Sequence, residues 1–426
     1  MFTLRRFPSS AAVYLAASVV VLTAGHLSAQ NFTARSFNLS PFGVNGPLPF
    51  GVFSEYGGSP VLKGGLSYGV SLSSTYVSNV LLSENDPESD VFLSVSPTLS
   101  YTSDPEGGAR VALAASYAPA ARASLNNSEF NSFDQSGNVS LIISGSRTTI
   151  SAFAGISQVS GADSLAVSNG FFTGTAVSLG LQAGYQLAPR TSVSAGVSSA
   201  ITAYGDGSAS GNSGGGSAVG FNGYSFNLAA SWAASARFGF GPSLNYSVSN
   251  SDNTGVINSW GLSAVGSYKV SEKINVAASI GGQYSDFSEA GAAVGLSPTG
   301  SLNANYQIDE LWSWSGTIQS GLTPSPITKN YVINGWSISS NLNRQLLIGS
   351  VGLGLNMDFS NFERARFIGN FQPFPASQQN IGLSLSYSRP LFNDRVGFTS
   401  SLRYTINYGD FEYSQLQLDA GLSMAF

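Results

Sequence analysis

Hydrophobic residues recur at every second position in segment after segment of this chain. In "GLSYGVSLSSTYVSNV" Leu66, Tyr68, Val70, Leu72 and Tyr76 share one parity, and in "TGTAVSLGLQAGYQL" Val177, Leu179, Leu181, Ala183 and Tyr185 do the same. "GSVGLGLNMDF" repeats the pattern through Val351, Leu353, Leu355, Met357 and Phe359, and "IGLSLSYSRPL" through Ile381, Leu383, Leu385 and Tyr387. In the closing "QLQLDAGLSMAF" the greasy parity carries Leu416, Leu418, Ala420, Leu422, Met424 and Phe426. A two-residue period is that of a strand with two unlike faces. The other parity is mostly Ser, Gly, Asn, Gln and Thr, small neutral groups suited to a wet interior.

The connections between these segments alternate in length. Short turns are expected near Asp104, Ser146, Ala188, Ala234, Ser271, Asp309, Asn343 and Phe392. Between them come long polar stretches such as "LLSENDPESD", "GDGSASGNSGGGSAVG", "SNSDNTG", "SDFSEAGAAVG" and "SNFERARFIGNFQPFPAS". Short turns at one end and long loops at the other mark a bacterial outer-membrane barrel. The pattern predicts an all-β, transmembrane, antiparallel up-and-down barrel of about 18 strands over residues 65–426. Its last strand is expected to pair with the first, around Leu66 to Val80, and so remove both edges. Pro97, Pro119, Pro242 and Pro298 each delete a ladder donor, so strand starts or bulges are expected there. Aromatic residues are expected in two belts, Tyr101, Tyr185, Trp232, Tyr268, Tyr306, Trp312, Trp314 and Tyr387 beside the turns and Tyr76, Trp260, Tyr331, Trp336 and Tyr408 toward the loops.

Composition sharpens the picture. Only 10% of the 426 residues are charged, against about a quarter in an ordinary soluble protein. Outside the first residues no apolar run approaches the roughly 18 that a membrane helix needs. Those first residues read as a secretory signal, residues 1–29, with Arg5 and Arg6 before "AAVYLAASVVVLTAG" and a cut after Ala29. Residues 30–64, rich in Phe, Pro and Gly, read as an N-terminal periplasmic leader or a partial plug. Cleavage removes His26, the one histidine of a chain without cysteine. A serine nucleophile then has no histidine base, so no enzyme and no cofactor are expected. The net charge of -5 and the lack of any Lys/Arg cluster argue against nucleic acid.

Three groups of residues stand out. Glu84, Asp86, Glu88 and Asp90 gather in one external loop, without the spacing of a calcium loop, and read as a solvated acidic surface. Arg364 and Arg366, with Glu363, lie in a long loop that would form a charged constriction if it folded inward. Phe426 reads as an assembly signal for the barrel assembly machinery, reached with the help of periplasmic chaperones. The expected surroundings are outer-membrane lipid and small solutes. With few charges on the lumen parity, neutral solutes are expected to pass with little ion preference; the rival reading is a non-conducting structural or binding barrel.

The stretch "LSYGVSLSSTYVSNVLLSENDPESDVFLSVSPTLSYTSD" resembles the opening of the β-barrel porin 2 family. Tyr76 and Asn79 match the end of that family's first strand, Ser89 and Asp90 its acidic "SD", and Val95, Ser96, Pro97 and Leu99 the start of its second. The acidic pair that usually follows the Tyr is Val77 and Ser78 here. The resemblance implies an outer-membrane barrel, in some members associated with exopolysaccharide production, and makes Pro97 a tolerated feature.

Overall fold

The structure, a computed structural model, describes residues 65–103, 110–162, 171–204, 221–251, 255–287, 292–324, 331–364, 377–392, 395–409 and 412–426. The expected signal segment 1–29 and leader 30–64 lie outside the described residues.

Eighteen strands run in chain order. They are β1 (Gly65–Val77), β2 (Asp90–Thr102), β3 (Val111–Ser124), β4 (Ser132–Ser144), β5 (Thr148–Ala162), β6 (Phe171–Ala188), β7 (Thr191–Tyr204), β8 (Phe221–Ala233) and β9 (Phe238–Ser251). They continue with β10 (Gly255–Lys269), β11 (Ile274–Phe287), β12 (Ala292–Gln307), β13 (Trp312–Pro324), β14 (Tyr331–Leu346), β15 (Gly349–Arg364), β16 (Ser377–Leu391), β17 (Val396–Gly409) and β18 (Tyr413–Ala425). Each pairs antiparallel with its neighbours, and β18 returns to β1 from Gly69↔Ala425 to Val77↔Gln417. The sheet is therefore a closed barrel without a free edge strand.

Which parity faces outward follows from exposure. On β1 Leu66 and Leu72 are exposed while Thr75 and Val77 are buried, and register partners across a ladder share a face. Carried round the sheet, this puts Leu, Val, Tyr and Trp outside and Ser, Gly, Asn and Thr inside, as the alternation requires. Tyr185, Trp232 and Tyr268 ring the turn end, and Trp260, Trp336 and Tyr408 the loop end, all exposed.

The tight turns use side-chain acceptors to replace missing strand partners. Ser235 Oγ accepts from the amides of Arg237 and Phe238, and Ser271 Oγ from those of Lys273 and Ile274. Asp309 Oδ1 does the same for Leu311 and Trp312. One turn departs from expectation: β14 runs past Asn343 to Leu346, and the reversal falls on Leu347 and Ile348. Gly349 makes that exit possible, since its φ is +109 and a Cβ there would run into the Ser388 carbonyl.

Two stretches expected as long loops are mostly strand. β9 ends at Ser251 and β10 starts at Gly255, while β11 reaches Phe287 and β12 starts at Ala292. A 13-residue strand such as β1 spans about 33 Å when tilted by about 40°, more than the roughly 25 Å apolar band. The excess stands in water, where neither parity needs to be apolar, so alternation fails while pairing continues.

The prolines lie inside strands, and each interrupts one ladder. The β1–β2 ladder passes through Pro97 and the β3–β4 ladder through Pro119, so both missing donors face the β2–β3 seam. There the register skips from Val95↔Ala121 to Leu99↔Tyr117, which sets the two prolines opposite each other in one gap. Ser96 Oγ bridges it to the Pro119 carbonyl at 2.8 Å. Pro242 likewise keeps its β10 ladder and opens β8–β9; a Cβ on the adjacent Gly241 would strike the Ala230 carbonyl.

Candidate functional site

The lumen face of β5–β14 is neutral except for Lys269 at the turn end of β10, whereas the face of β15–β18 and β1–β4 carries charge. Asp90, Arg122, Asp134, Asp358, Arg403 and Asp419 all fall on the inward parity of this second arc. Arg364, at the loop end of β15, shares that parity, so closure gathers seven of the eight charges on the lumen parity onto one side of the wall. Four carboxylates against three guanidiniums leave that arc with a formal net charge of −1, which Lys269 balances across the lumen.

The register shows how distant strands deliver these groups. Asp90 lies opposite Val77, Val77 opposite Gln417, and Gln417 opposite Arg403. One step toward the turn end, Phe92 lies opposite Thr75, Thr75 opposite Asp419, and Asp419 opposite Ser401. Asp419 accepts from Thr75 Oγ1 at 2.7 Å and from Ser401 Oγ at 2.8 Å, while Gln417 Nε2 lies 3.1 Å from both its oxygens. A carboxylate facing water would not need three donors; this one is held in place across the closing seam.

Asp90 is held as firmly. Its carboxylate accepts from Ser124 Oγ, from the Val91 amide at 2.6 Å and from the Asn126 amide at 3.2 Å, and the residue is 1% exposed. Beside it the Arg122 guanidinium lies over the Phe92 ring at 3.6 Å and donates to the Ser160 carbonyl at 3.5 Å. Such stacking suits a weakly hydrated, planar cation. Arg122 Nε, Ser132 Oγ and Asp134 Oδ1 are buried atoms without a hydrogen-bond partner, although the residues adjoin on β3 and β4.

Above the charged arc, toward the loops, Val77, Val80, Phe92 and Phe130 form an apolar cluster with Leu81 packed against it. Phe130 sits in a short 3-10 turn whose cap, Asn127, accepts from the Glu129 amide. Burying a side chain of the size of Phe92 stabilises by about 1.5–3 kcal/mol. The cluster therefore fixes the loop end of the arc.

Of the residues singled out from sequence, Glu84, Asp86 and Glu88 are exposed in the 78–89 connection, while Asp90 opens β2 and points inward. Glu363 and Arg364 end β15 opposite Val332 and Tyr331, and Arg366 lies outside the described residues. Phe426 stacks on Tyr68 with ring centroids 5.4 Å apart, and its amide donates to the Tyr68 carbonyl at 2.8 Å. Among the described residues no group of acidic, histidine or cysteine side chains is arranged to hold a metal ion. Sequence reading missed Arg122, Asp134, Asp358, Arg403 and Asp419. The available signal was a charge on the polar parity of an otherwise alternating strand, as in "LQLDAGL".

No family profile matches the chain, and no curated protein matches it significantly. Among solved structures it is similar to OprD of Pseudomonas aeruginosa, with 10% identity over 87% of this chain and 98% of that one and a TM-score of 0.43. It is also similar to OccAB4 of Acinetobacter baumannii, with 9% identity over 86% and 100% of the two chains and a TM-score of 0.45. The siderophore receptor PirA of Pseudomonas aeruginosa aligns at 8% identity over 85% and 81%, with a TM-score of 0.42. At these values no residue role or activity transfers, and the architecture rests on the ladders themselves.

Proposed function

We propose that the chain is an outer-membrane barrel that acts as a passive, porin-like channel for small solutes. The observation that carries this reading is the closed wall of 18 strands with an apolar outer parity and a hydroxyl- and amide-rich inner one. Barrels of 16 to 18 strands usually enclose a water-filled passage. The neutral arc offers uncharged solutes hydrogen bonds without a charge to exchange. The opposite arc concentrates the lumen's charge on one side, with carboxylates and cationic groups in balance over the whole passage.

Purified protein in planar bilayers is expected to give discrete conductance steps, and a KCl gradient a reversal potential close to zero. Absence of steps, together with absence of liposome swelling by neutral sugars, rejects the channel. Kinship with the β-barrel porin 2 family is part of the same proposal and is supported by the β1–β2 stretch around Pro97. So are passage through periplasmic chaperones and the barrel assembly machinery, and a non-enzymatic role. A constriction at Glu363, Arg364 and Arg366, which requires their loop to fold inward rather than pack as a surface loop, is a separate element, tested by the same measurement on Arg366→Ala.

A further inference from the structure

The β12–β13 ladder stops short. Its last register pair toward the loop end is Gly300↔Ser320, although β12 continues to Ala292 and β13 to Pro324. Their outer neighbours do not stop: β11 pairs with β12 as far as Ala292, and β13 with β14 as far as Pro324. The wall is thus whole on either side of a notch.

Chemistry explains why the notch does not close. The β11 ladder runs through Pro298 against Gly282, so the donor that proline lacks faces β13. Continuing the β12–β13 register upward would set Pro298 opposite Leu322, Thr299 opposite Gly321 and Leu296 opposite Pro324. Pro324, on the same parity as Pro298, cannot donate back. Leu296 is 77% exposed while Leu322 is 4% exposed, although a continuous sheet would present both outward. A Cβ added at Gly321 meets nothing within 4 Å.

A second short ladder shows what a closed gap looks like. β4 and β5 stop at Gln135↔Gln158, but Arg122 reaches the Ser160 carbonyl and Asp134 hydrogen-bonds Ser160. Among the described residues the side-chain bond from Thr317 Oγ1 to Asn303 Oδ1 lies below the β12–β13 notch, and none spans it.

The floor of the notch lies at the loop-end aromatic belt, since Ser320 pairs with Trp336, and Leu296 with Tyr284 beside Trp260. On its inner side stand Ser297, Thr299 and Gln319, and on its outer side Leu296, Ile280 and Trp336. We propose that this notch is a lateral binding and passage site for a single-chain amphipath, with the polar head among the lumen hydroxyls and the acyl tail leaving between β12 and β13 into the outer leaflet. An unpaired backbone edge facing lipid is costly, and the head of such a ligand, or water from the lumen, satisfies it. The inference goes beyond the channel reading and does not require ion flow.

The chain has no cysteine, so Thr299→Cys with Gly321→Cys creates one bridgeable pair, closed with a short bis-maleimide. The probe is dodecyl maltoside carrying a photoreactive group in its tail. Cross-links are expected on peptides containing Leu296 and Leu322, falling about fivefold or more on bridging, with KCl conductance unchanged. Labelling spread evenly round the outer face, or unaffected by the bridge, overturns the proposal. Hydrogen exchange on the unmodified protein is the second measurement: the Leu296 and Leu322 amides should exchange at least about 100-fold faster than those of Gly300 and Ser320. Equal protection overturns the notch. Notch labelling by a barrel that gives no conductance would reject the channel and support this inference.

Discussion

The two arcs of the wall share strand length, pairing and an apolar exterior, yet their inner faces are assembled on different principles. On β5–β14 neighbouring hydroxyls pair locally, as Ser259 with Ser285 at 2.7 Å and Ser279 with Ser301 at 2.8 Å. On the seam arc, charged groups are held by partners from several strands, and Asp419 alone draws on β1, β17 and β18. Local pairs add up independently, whereas a shared network fails together when one member is removed. The seam arc should therefore be fragile to substitution and the neutral arc tolerant.

Phe92→Ala should be the most damaging change. It removes the centre of the apolar cluster and the ring beneath Arg122, and a loss of about 3–5 kcal/mol is expected. Thermal unfolding followed by the shift in gel mobility measures it, and a loss below about 1 kcal/mol would remove the contrast between the arcs. Asp419→Ala should follow, at about 1–3 kcal/mol, because Thr75, Ser401 and Gln417 lose a common acceptor. A smaller effect, about 0.5–1.5 kcal/mol plus the lost burial, is expected for Phe426→Ala, which ends the stack on Tyr68 at the closing ladder. Its readout is the folded fraction after insertion into vesicles, and a wild-type yield would show that the stack is dispensable.

Selectivity separates the arcs as well. Arg122→Gln should move the reversal potential to the cation side, and Asp134→Asn to the anion side; identical shifts would show that neither group faces the ion path. Ser247→Ala on the neutral arc is the control. Its hydroxyl is buried without a partner, so its removal should not destabilise the barrel and should leave the potential untouched.

The barrel was legible in the sequence because every strand repeats the same message. Parity marked the faces at Leu66–Leu72 or Leu416–Met424 without knowledge of any partner strand. Where β9 to β12 rise above the apolar band the message stops, and polar residues on both parities there look like loops. The site was illegible for another reason. Asp90 and Arg403, or Thr75 and Asp419, are neighbours only through the β1–β18 ladder, and nothing local in "ESDVF" or "LRYTI" indicates that they will share a wall. The prolines were legible as lost donors, but not that Pro97 and Pro119 would share one gap while Pro298 and Pro324 leave another unfilled.

The closing ladder also sets an order in time. It joins residues 69–77 to residues 417–425, the largest sequence separation of any ladder in the sheet, so these are the last contacts that growth of the sheet from its hairpins can make. Until then β1 and β18 are open edges, able to pair with any strand that reaches them. The entropy of bringing them together rises only with the logarithm of the intervening length, so seventeen preformed ladders leave little further cost. Because Asp419 meets Thr75 only at that moment, the charged arc comes into existence when the barrel seals, and a half-built sheet carries the residues of the site without having the site.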